Sequence, residues 1–423
     1  MSETLISLLT IGIVVAAVPG VCNYLILLER KLSAWMQDRI GPNRVGPAGL
    51  FQPIADGIKL LLKEEVIPAH VDRVLYLMAP LISVFTTMLA LAVVPFGPVQ
   101  DAPSWLRFII APNIDIGLVF IFAVTSVAVY GIVLGGWASN NKYSALGAMR
   151  ASAQVVSYEI PLGMSVLGIA LLSNSLNLEQ ILDQQAAGGF FGWNIWYQPL
   201  ACLLFFTSSL AEANRLPFDL AECEQELVGG WHTEYSALKW AMFFLGEYTH
   251  VITISFLTSI LFFGGWHFPG IATPESTYFG AWLVKLAVLL TKVFASIWLI
   301  IMLRWTIPRF RFDQLMELAW KVMIPLAVTN VVMVMFVRHF ELSRWWLLAG
   351  SLVLFTAWGV ISTNLRAAAA ERRSTVTPEQ RRALRGVAPF VAGPLPGTAE
   401  PYEHDSKIDL MNIAAMSRRS ERP

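Results

Sequence analysis

The dominant pattern along the chain is a series of long apolar runs separated by polar segments. A helix that crosses a membrane needs roughly 20 apolar residues, because it traverses about 30 Å of hydrocarbon with every backbone group bonded internally. Nine runs fit this description. They lie at residues 5–28, 75–95, 113–136, 155–173, 197–212, 237–263, 280–303, 320–337 and 345–362. The pattern predicts an all-α polytopic membrane protein.

The ninth run follows a polar turn of only a few residues, at 338–344. It either crosses the membrane or lies at the interface as the last helix of an eight-span chain. We predict a membrane core of eight transmembrane helices at residues 1–337, a ninth helix at 338–363 and a polar tail at 364–423. The tail combines prolines with mixed charge, which is typical of a mobile extension.

Positive charge is sorted between the two sides of the predicted membrane. Thirteen Lys and Arg residues lie in the first, third, fifth and seventh loops, and three lie in the second, fourth, sixth and eighth. Because cationic short loops stay in the cytoplasm, the N-terminus is predicted outside and the tail inside. We expect a bacterial inner membrane.

The composition excludes several classes of protein. The chain is 56% hydrophobic and 14% charged, whereas soluble domains carry about a quarter charged residues. Its net charge of zero argues against a nucleic-acid partner. The three cysteines are far apart, and no glycine-rich nucleotide motif opens a helix. We therefore expect no metal, iron-sulfur cluster or nucleotide on this chain, and redox chemistry only in partner subunits.

The first loop, residues 29–74, is unusually long and combines two features. Apolar residues from Phe51 to Leu62 recur at three- and four-residue spacing, which predicts an amphipathic helix at the cytoplasmic interface. Before it, residues 39–47 form a Gly- and Pro-rich turn that carries Arg39 and Arg44. This turn could bind a partner or an anionic group, or simply anchor the loop by its positive charge.

The segment at residues 215–235, which we call the acid-rich loop, carries five carboxylates within sixteen residues. They are Asp219, Glu222, Glu224, Glu226 and Glu234. Pro217 ends the preceding helix, and Gly229-Gly230 allow a second bend. Crowded carboxylates near a low-dielectric wall have raised, coupled proton affinities, so this loop could store and pass protons. An ordinary solvated loop is the alternative.

Ionisable residues also lie inside the predicted spans. Each costs roughly 2.5–3.5 kcal/mol at a helix centre, so each is a functional candidate by default. They are Glu159, Glu247, Lys285 and Lys292. Lys285 can extend to the interface, which leaves Lys292 as the stronger candidate. Glu29, at the inner end of the first span, either pairs with the adjacent cations or begins an internal proton path.

Four motifs resemble one family, the membrane subunit of respiratory complex I that joins its membrane arm to its peripheral arm and is equivalent to mitochondrial NADH dehydrogenase subunit 1. The first is Glu29-Arg-Lys with Arg39-Ile-Gly-Pro-Asn-Arg-Val-Gly, and the second is the stretch from Ala55 to Leu62 with Lys63-Glu-Glu. The third runs from Arg215-Leu-Pro-Phe-Asp to His232-Thr-Glu-Tyr-Ser, and the fourth is Pro308-Arg-Phe-Arg-Phe-Asp-Gln-Leu-Met. The resemblance covers roughly residues 5–337.

The resemblance implies a subunit of a proton-pumping NADH:quinone oxidoreductase that forms the quinone chamber. It places Arg30, Arg44, Asp56, Arg215 and Phe218 at the quinone entrance. It also implies an acidic route toward antiporter-like subunits, made of Glu29, Glu159, Asp219, Glu222, Glu224, Glu226, Glu234 and Glu247. Quinone is then the substrate, and NADH, FMN and iron-sulfur clusters belong to partner subunits. Small membrane subunits and membrane lipid are the other expected partners.

Two alternatives stay open. One is the equivalent subunit of an energy-converting hydrogenase or ferredoxin-linked complex, whose members are less similar across the acid-rich loop. The other is an autonomous secondary transporter of ions, against which stand the long specialised loops and the absence of inverted repeats.

Overall fold

The computed structural model describes residues 3–97, 109–112, 114–220, 224–276 and 280–375, and within this part the fold is all-helical. The helices are α1 Glu3–Met36, α2 Gln52–Leu62, α3 Arg73–Ala90, α4 Gly117–Ala138, α5 Lys142–Ser173, α6 Leu178–Ala187, α7 Asn194–Tyr197, α8 Pro199–Glu212, α9 Glu224–Leu227, α10 Ala237–Phe262, α11 Ala281–Thr306, α12 Phe312–Leu318, α13 Ile324–His339 and α14 Trp345–Thr375. Short 3₁₀ turns lie at Pro47–Gly49, Leu91–Val93, Phe190–Gly192 and Gly230–His232.

Seven stretches of the described residues are long and apolar enough to cross a membrane. They correspond to α1, α3, α4, α5, α10, α11 and the continuous run Phe312–His339, in which a π-helical turn at Ala319–Met323 joins α12 to α13. Two further apolar helices are shorter, Pro199–Glu212 and Trp345–Val360. The prediction of an all-α polytopic membrane protein is confirmed.

Two helices extend beyond the apolar runs that predicted them. α1 continues to Met36, and α5 begins at Lys142, where the side chain of Asn141 caps it by accepting from the backbone of Tyr143. Hydropathy detects only the part of a helix that lies in lipid. The backbone hydrogen bonds of the helix can continue beyond that part into polar surroundings. Glu29 therefore lies inside α1 rather than in a loop. The predicted amphipathic helix is α2.

The helix at the centre of the bundle is α10. Every residue from Tyr248 to Phe262 is buried, and α10 packs against α1, α3, α8 and α11. Its polar side chains in this stretch therefore face other helices rather than lipid.

The chain divides into two compact units, the first of which is Met1–Trp358. The second begins at Gly359. The predicted division at residues 337 and 363 stays a prediction.

Candidate functional site

A cavity of about 370 Å³ lies between α1, α2, α10 and α11. Its lining includes polar side chains, with Glu29 and Arg30 on α1 and Asp56 on α2. It also includes four aromatic side chains, which are Trp240, Phe244 and Tyr248 on α10 and Trp305 on α11. The amphipathic helix thus lines a cavity rather than serving only as a surface anchor.

Asp56 ties α2 to α1. Its carboxylate lies 2.7 Å from the Arg30 guanidinium and accepts a hydrogen bond from the Gln52 amide at 3.1 Å. The Lys59 ammonium group, one turn further along α2, lies 3.8 Å from Asp56 Oδ1, the same oxygen that accepts from Gln52. The Asp56 side chain is about a quarter exposed, so these pairs fix the position of α2 more than they add stability.

Glu29 is the most enclosed acid of this cavity, with 6% of its surface exposed. It accepts a hydrogen bond from the Tyr248 hydroxyl and forms ion pairs with Arg304 and, at 3.5 Å, with Arg215. The Arg215 guanidinium also lies 4.2 Å from the centre of the Tyr248 ring. One carboxylate and two guanidinium groups leave a net positive charge at the end of the cavity.

A second, much smaller cavity adjoins this cluster. Its volume is about 20 Å³, and its lining includes Glu29, Arg215, Tyr248 and Arg304 together with apolar residues of α1, α10 and α11. This is room for one water molecule. A proton donor or acceptor could therefore reach Glu29 from inside the bundle.

A second group of acids, partly buried, lies where α4, α5, α8 and α10 meet. Glu212, at the end of α8, lies 3.6 Å from the imidazole Nε2 of His250 and hydrogen-bonds the Thr125 side chain. Glu159 on α5 accepts a hydrogen bond from the Ser126 hydroxyl. The two carboxylates are close enough to interact electrostatically. Such groups are costly in a membrane interior and are retained mainly for function.

The three carboxylates of the acid-rich loop whose side chains are described are paired rather than freely solvated. Asp219 lies 3.1 Å from Arg309, and Glu226 lies 2.7 Å from Arg150. The Glu234 carboxylate accepts from the Asn141 amide at 2.7 Å. The described part of the loop is therefore held against α5, the α11–α12 loop and the α4–α5 turn, although the Glu226 side chain is still half exposed.

Two anchors hold the ends of this loop. At its start, the amide of Gln154, fully buried on α5, donates to the carbonyls of Ala211 and Phe218, both at 2.8 Å. At its end, the Tyr235 ring stacks on Tyr76 at 4.2 Å, and its hydroxyl donates to the Tyr76 carbonyl. Burial, and secondly the neighbouring Tyr76, raises the pKa of Tyr235, so this hydroxyl keeps its proton.

The structure brings together several residues that the sequence predicts at the site. Glu29, Arg30 and Asp56 line the cavity, and Arg215 contacts Glu29. Glu247 is half-buried on α10, next to Tyr248.

Other candidates lie apart from the cavity. Arg44 is exposed on the α1–α2 loop, and Phe218 is buried, with its ring against those of Tyr158 and Phe310. Lys292 donates to the carbonyls of Phe263, Gly265 and His267 at 2.6–2.9 Å, beyond the end of α10. Glu222 lies outside the described residues, and Glu224 is the first residue of α9.

Four residues at the heart of these clusters are not among the predicted site residues. They are Tyr248, Arg304, Glu212 and His250. From the sequence, Arg304 is only one of the thirteen cations in the loops predicted to be cytoplasmic. Tyr248 and His250 closely follow Glu247, which is an acid inside a predicted span. Their closeness to it in the sequence is a signal that could have marked both as candidate site residues. In the described part, no group of three or more His, Cys, Asp or Glu residues could hold a metal.

A family model described as NADH dehydrogenase matches residues 8–335. The chain belongs to this family. An NADH-quinone oxidoreductase subunit of Koribacter versatilis is 45% identical over 341 residues, which are 77% of this chain and 95% of that protein. An NADH-quinone oxidoreductase subunit of Protochlamydia amoebophila is 47% identical over 309 residues, 73% and 90% of the two chains. The NADH-quinone oxidoreductase subunit 8 of Rhodothermus marinus is 44% identical over 323 residues, 74% and 91%.

These comparisons confirm the resemblance that the four motifs indicate. The chain is a membrane subunit of the complex I type, and the matched residues coincide with the predicted core. α14 begins after the matched region, so its role does not follow from membership of the NADH dehydrogenase family.

Proposed function

We propose that this chain forms the membrane wall of a quinone site in an NADH:quinone oxidoreductase, and that it couples quinone reduction to proton movement. The observation that carries this proposal is the cavity between α1, α2, α10 and α11, whose lining combines Glu29, Arg30 and Asp56 with four aromatic rings. The relatives are named for the same enzyme.

The cavity suits a quinone head group. Flat aromatic rings favour stacking with a planar ligand, and the Arg304 guanidinium supplies donors for carbonyl oxygens. The net positive charge around Glu29 stabilises the electron density that a quinone gains on reduction. At about 4 Å such an interaction is worth about 4 kcal/mol at an effective dielectric constant of 20.

The proton path begins at the same place. A charge gained in the cavity changes the balance between Glu29 and its two guanidinium partners, Arg215 and Arg304. Arg215 follows Glu212 by three residues, so the turn between them connects the cavity to the second acid group. Glu212, Glu159 and the paired acids of the acid-rich loop then form the route toward pumping subunits.

In this proposal the chain acts with partner subunits. Iron-sulfur clusters of a peripheral arm deliver electrons taken from NADH at FMN, and antiporter-like subunits use the coupled free energy. The chain lies in a bacterial inner membrane with its N-terminus outside. The names of the relatives favour this assembly over a hydrogenase-type complex or an autonomous transporter.

The substitution Arg215→Ala tests the proposal. In membranes that contain the assembled complex, we expect NADH-driven quinone reduction to fall by about tenfold or more, because the cluster around Glu29 loses the net positive charge that stabilises the reduced quinone. Electron transfer from NADH to ferricyanide, which does not use the cavity, should stay within about twofold of the unsubstituted rate. Arg73→Ala, which removes an exposed arginine at the start of α3, is the matched control. Equal losses in both assays would contradict the proposed site and indicate an assembly defect.

A further inference from the structure

His250 is a buried histidine in the middle of the bundle, on the central helix α10. It is 8% exposed, and its Nε2 lies 3.6 Å from a carboxylate oxygen of Glu212, whose side chain is also 8% exposed. Within the described residues, His250 Nε2 has no hydrogen-bond partner. The separation is slightly longer than a hydrogen bond, so a small side-chain movement or one water closes the contact.

Further proton-binding groups continue from this contact across α4 and α5. Thr125 and Ser126 are adjacent on α4, and their hydroxyls hydrogen-bond Glu212 and Glu159 respectively. His250 therefore stands at one end of a row of side chains that can each give or take a proton. The other end of the row is Glu159.

The same end of α8 also contacts the cavity side of α10. Arg215 stacks on Tyr248, while Glu212 faces His250, two residues further along α10. Residues two apart lie on nearly opposite faces of a helix, so α10 separates the Glu29 cluster from the His250 pair. A shift of the 212–215 turn when the charge near Glu29 changes would alter the His250–Glu212 contact directly.

We propose that His250 is a proton-carrying residue that shares one proton with Glu212, an inference that rests on the proposed function. The proton leaves His250 Nε2 and binds Glu212 Oε1, so an N–H bond breaks and an O–H bond forms with no change in electron count. The pair is neutral overall in both states, because an imidazolium with a carboxylate becomes an imidazole with a carboxylic acid. The proton can thus move between the two side chains without changing the net charge of the pair in the membrane interior.

The decisive variant is His250→Gln, which keeps hydrogen-bonding groups but cannot carry a proton at neutral pH. In inverted vesicles with the assembled complex, we expect quinone-driven proton uptake to fall by about tenfold or more. The rate is normalised to NADH–ferricyanide activity. The control is His267→Gln, because His267 is also buried but hydrogen-bonds Trp193 rather than facing an acid. It should stay within about twofold. His250→Asn serves as a second variant if His250→Gln does not assemble.

A double-substitution cycle separates a proton-sharing pair from a merely structural contact. If the two residues share one proton, Glu212→Gln combined with His250→Gln should be no slower than the slower single variant. The exchanged pair, Glu212→His with His250→Glu, should recover at least half of the lost proton uptake, which a purely packing role would not allow. Multiplying losses, or wild-type uptake in His250→Gln, would overturn the inference.

Variants of Glu212 and Glu159 distinguish a failure of the His250 inference from a failure of the proposed proton path. Glu212→Gln and Glu159→Gln are measured in the same vesicles. If both keep wild-type proton uptake, the carboxylate path itself is wrong and the role of His250 falls with it. If the acid variants lose uptake while His250→Gln keeps it, only the inference about His250 is overturned.

Discussion

At the scale of single residues, the surroundings of a charge decide what it does in this protein. Arg304 and Lys292 both lie on α11 and both point into the bundle, but their partners differ. Arg304 pairs with the carboxylate of Glu29 at the cavity, whereas Lys292 binds three backbone carbonyls and lies 4.4 Å from the centre of the Trp193 ring. A carboxylate can change its protonation, but a carbonyl cannot. We therefore assign Arg304 to the proposed chemistry and Lys292 to the architecture.

The substitution Arg304→Met tests the first assignment. Without Arg304, the cluster around Glu29 loses its net positive charge and the cavity loses a hydrogen-bond donor, so quinone reduction should fall by about tenfold or more. The control is Lys321→Met, which breaks the highly exposed Lys321–Glu317 pair and should leave the rate nearly unchanged. Quinone reduction is measured relative to NADH–ferricyanide activity in the same membranes. Equal rates in the two variants would contradict a role for Arg304.

The substitution Lys292→Met tests the second assignment. It leaves three carbonyls without their donor, and we expect a loss of about 3 kcal/mol in the free energy of unfolding. Lys292→Arg, which keeps donors, should recover part of this loss. The measurement is the thermal inactivation temperature of the purified complex. A normal inactivation temperature combined with lost proton translocation would instead favour the functional role that the sequence predicts.

At the scale of helices, the acid-rich loop is positioned by close contact with α5. A side chain at Gly147 would place its Cβ 2.7 Å from the Cα of Gly230, so only glycine lets the loop approach this closely. One turn later on α5 comes Ala151 and then Gln154, which donates to the start of the same loop. α5 thus provides both a flat surface and a hydrogen-bonding anchor.

The substitution Gly147→Ala should therefore displace the loop. Overpacking of this kind costs about 1–3 kcal/mol, and we expect lower stability together with weaker quinone-driven proton uptake. Gly163→Ala on the same helix is the control, because a Cβ added there would meet no atom within 4 Å and alanine favours a helix. Thermal inactivation and proton uptake of both variants are compared. A stable, fully coupled Gly147→Ala protein would show that this contact does not set the loop position.

At the scale of the whole molecule, the apolar pattern predicts the architecture well because lipid imposes one strong requirement on every span. Seven of the nine predicted runs are helices of full length in the described part. The apolar pattern does not predict α6, which Asn177 caps, or the part of α1 beyond Glu29. Neither segment has the long apolar run that contact with lipid requires.

The site is harder to predict than the architecture, because it depends on pairings between distant segments. Motifs indicate Glu29, Arg30, Asp56 and Arg215. The first three line one cavity, and Arg215 pairs with Glu29 beside it. The Glu29–Tyr248 contact joins residues 219 positions apart, and spacing along the chain carries no information about it. Contacts of this kind become visible only when the helices are packed.

The predicted orientation of the whole bundle can be tested by labelling one residue on each side. Ala69 lies in the α2–α3 loop and Ala187 at the end of α6, and both are exposed. The excess of cations in the first loop places Ala69 inside and Ala187 outside. With a membrane-impermeant maleimide, Ala187→Cys should react in intact cells and Ala69→Cys only in inverted vesicles. Replacing the native cysteines by serine provides the background. The opposite pattern would reverse the topology and would place the proposed quinone cavity on the side of the membrane away from a cytoplasmic electron donor.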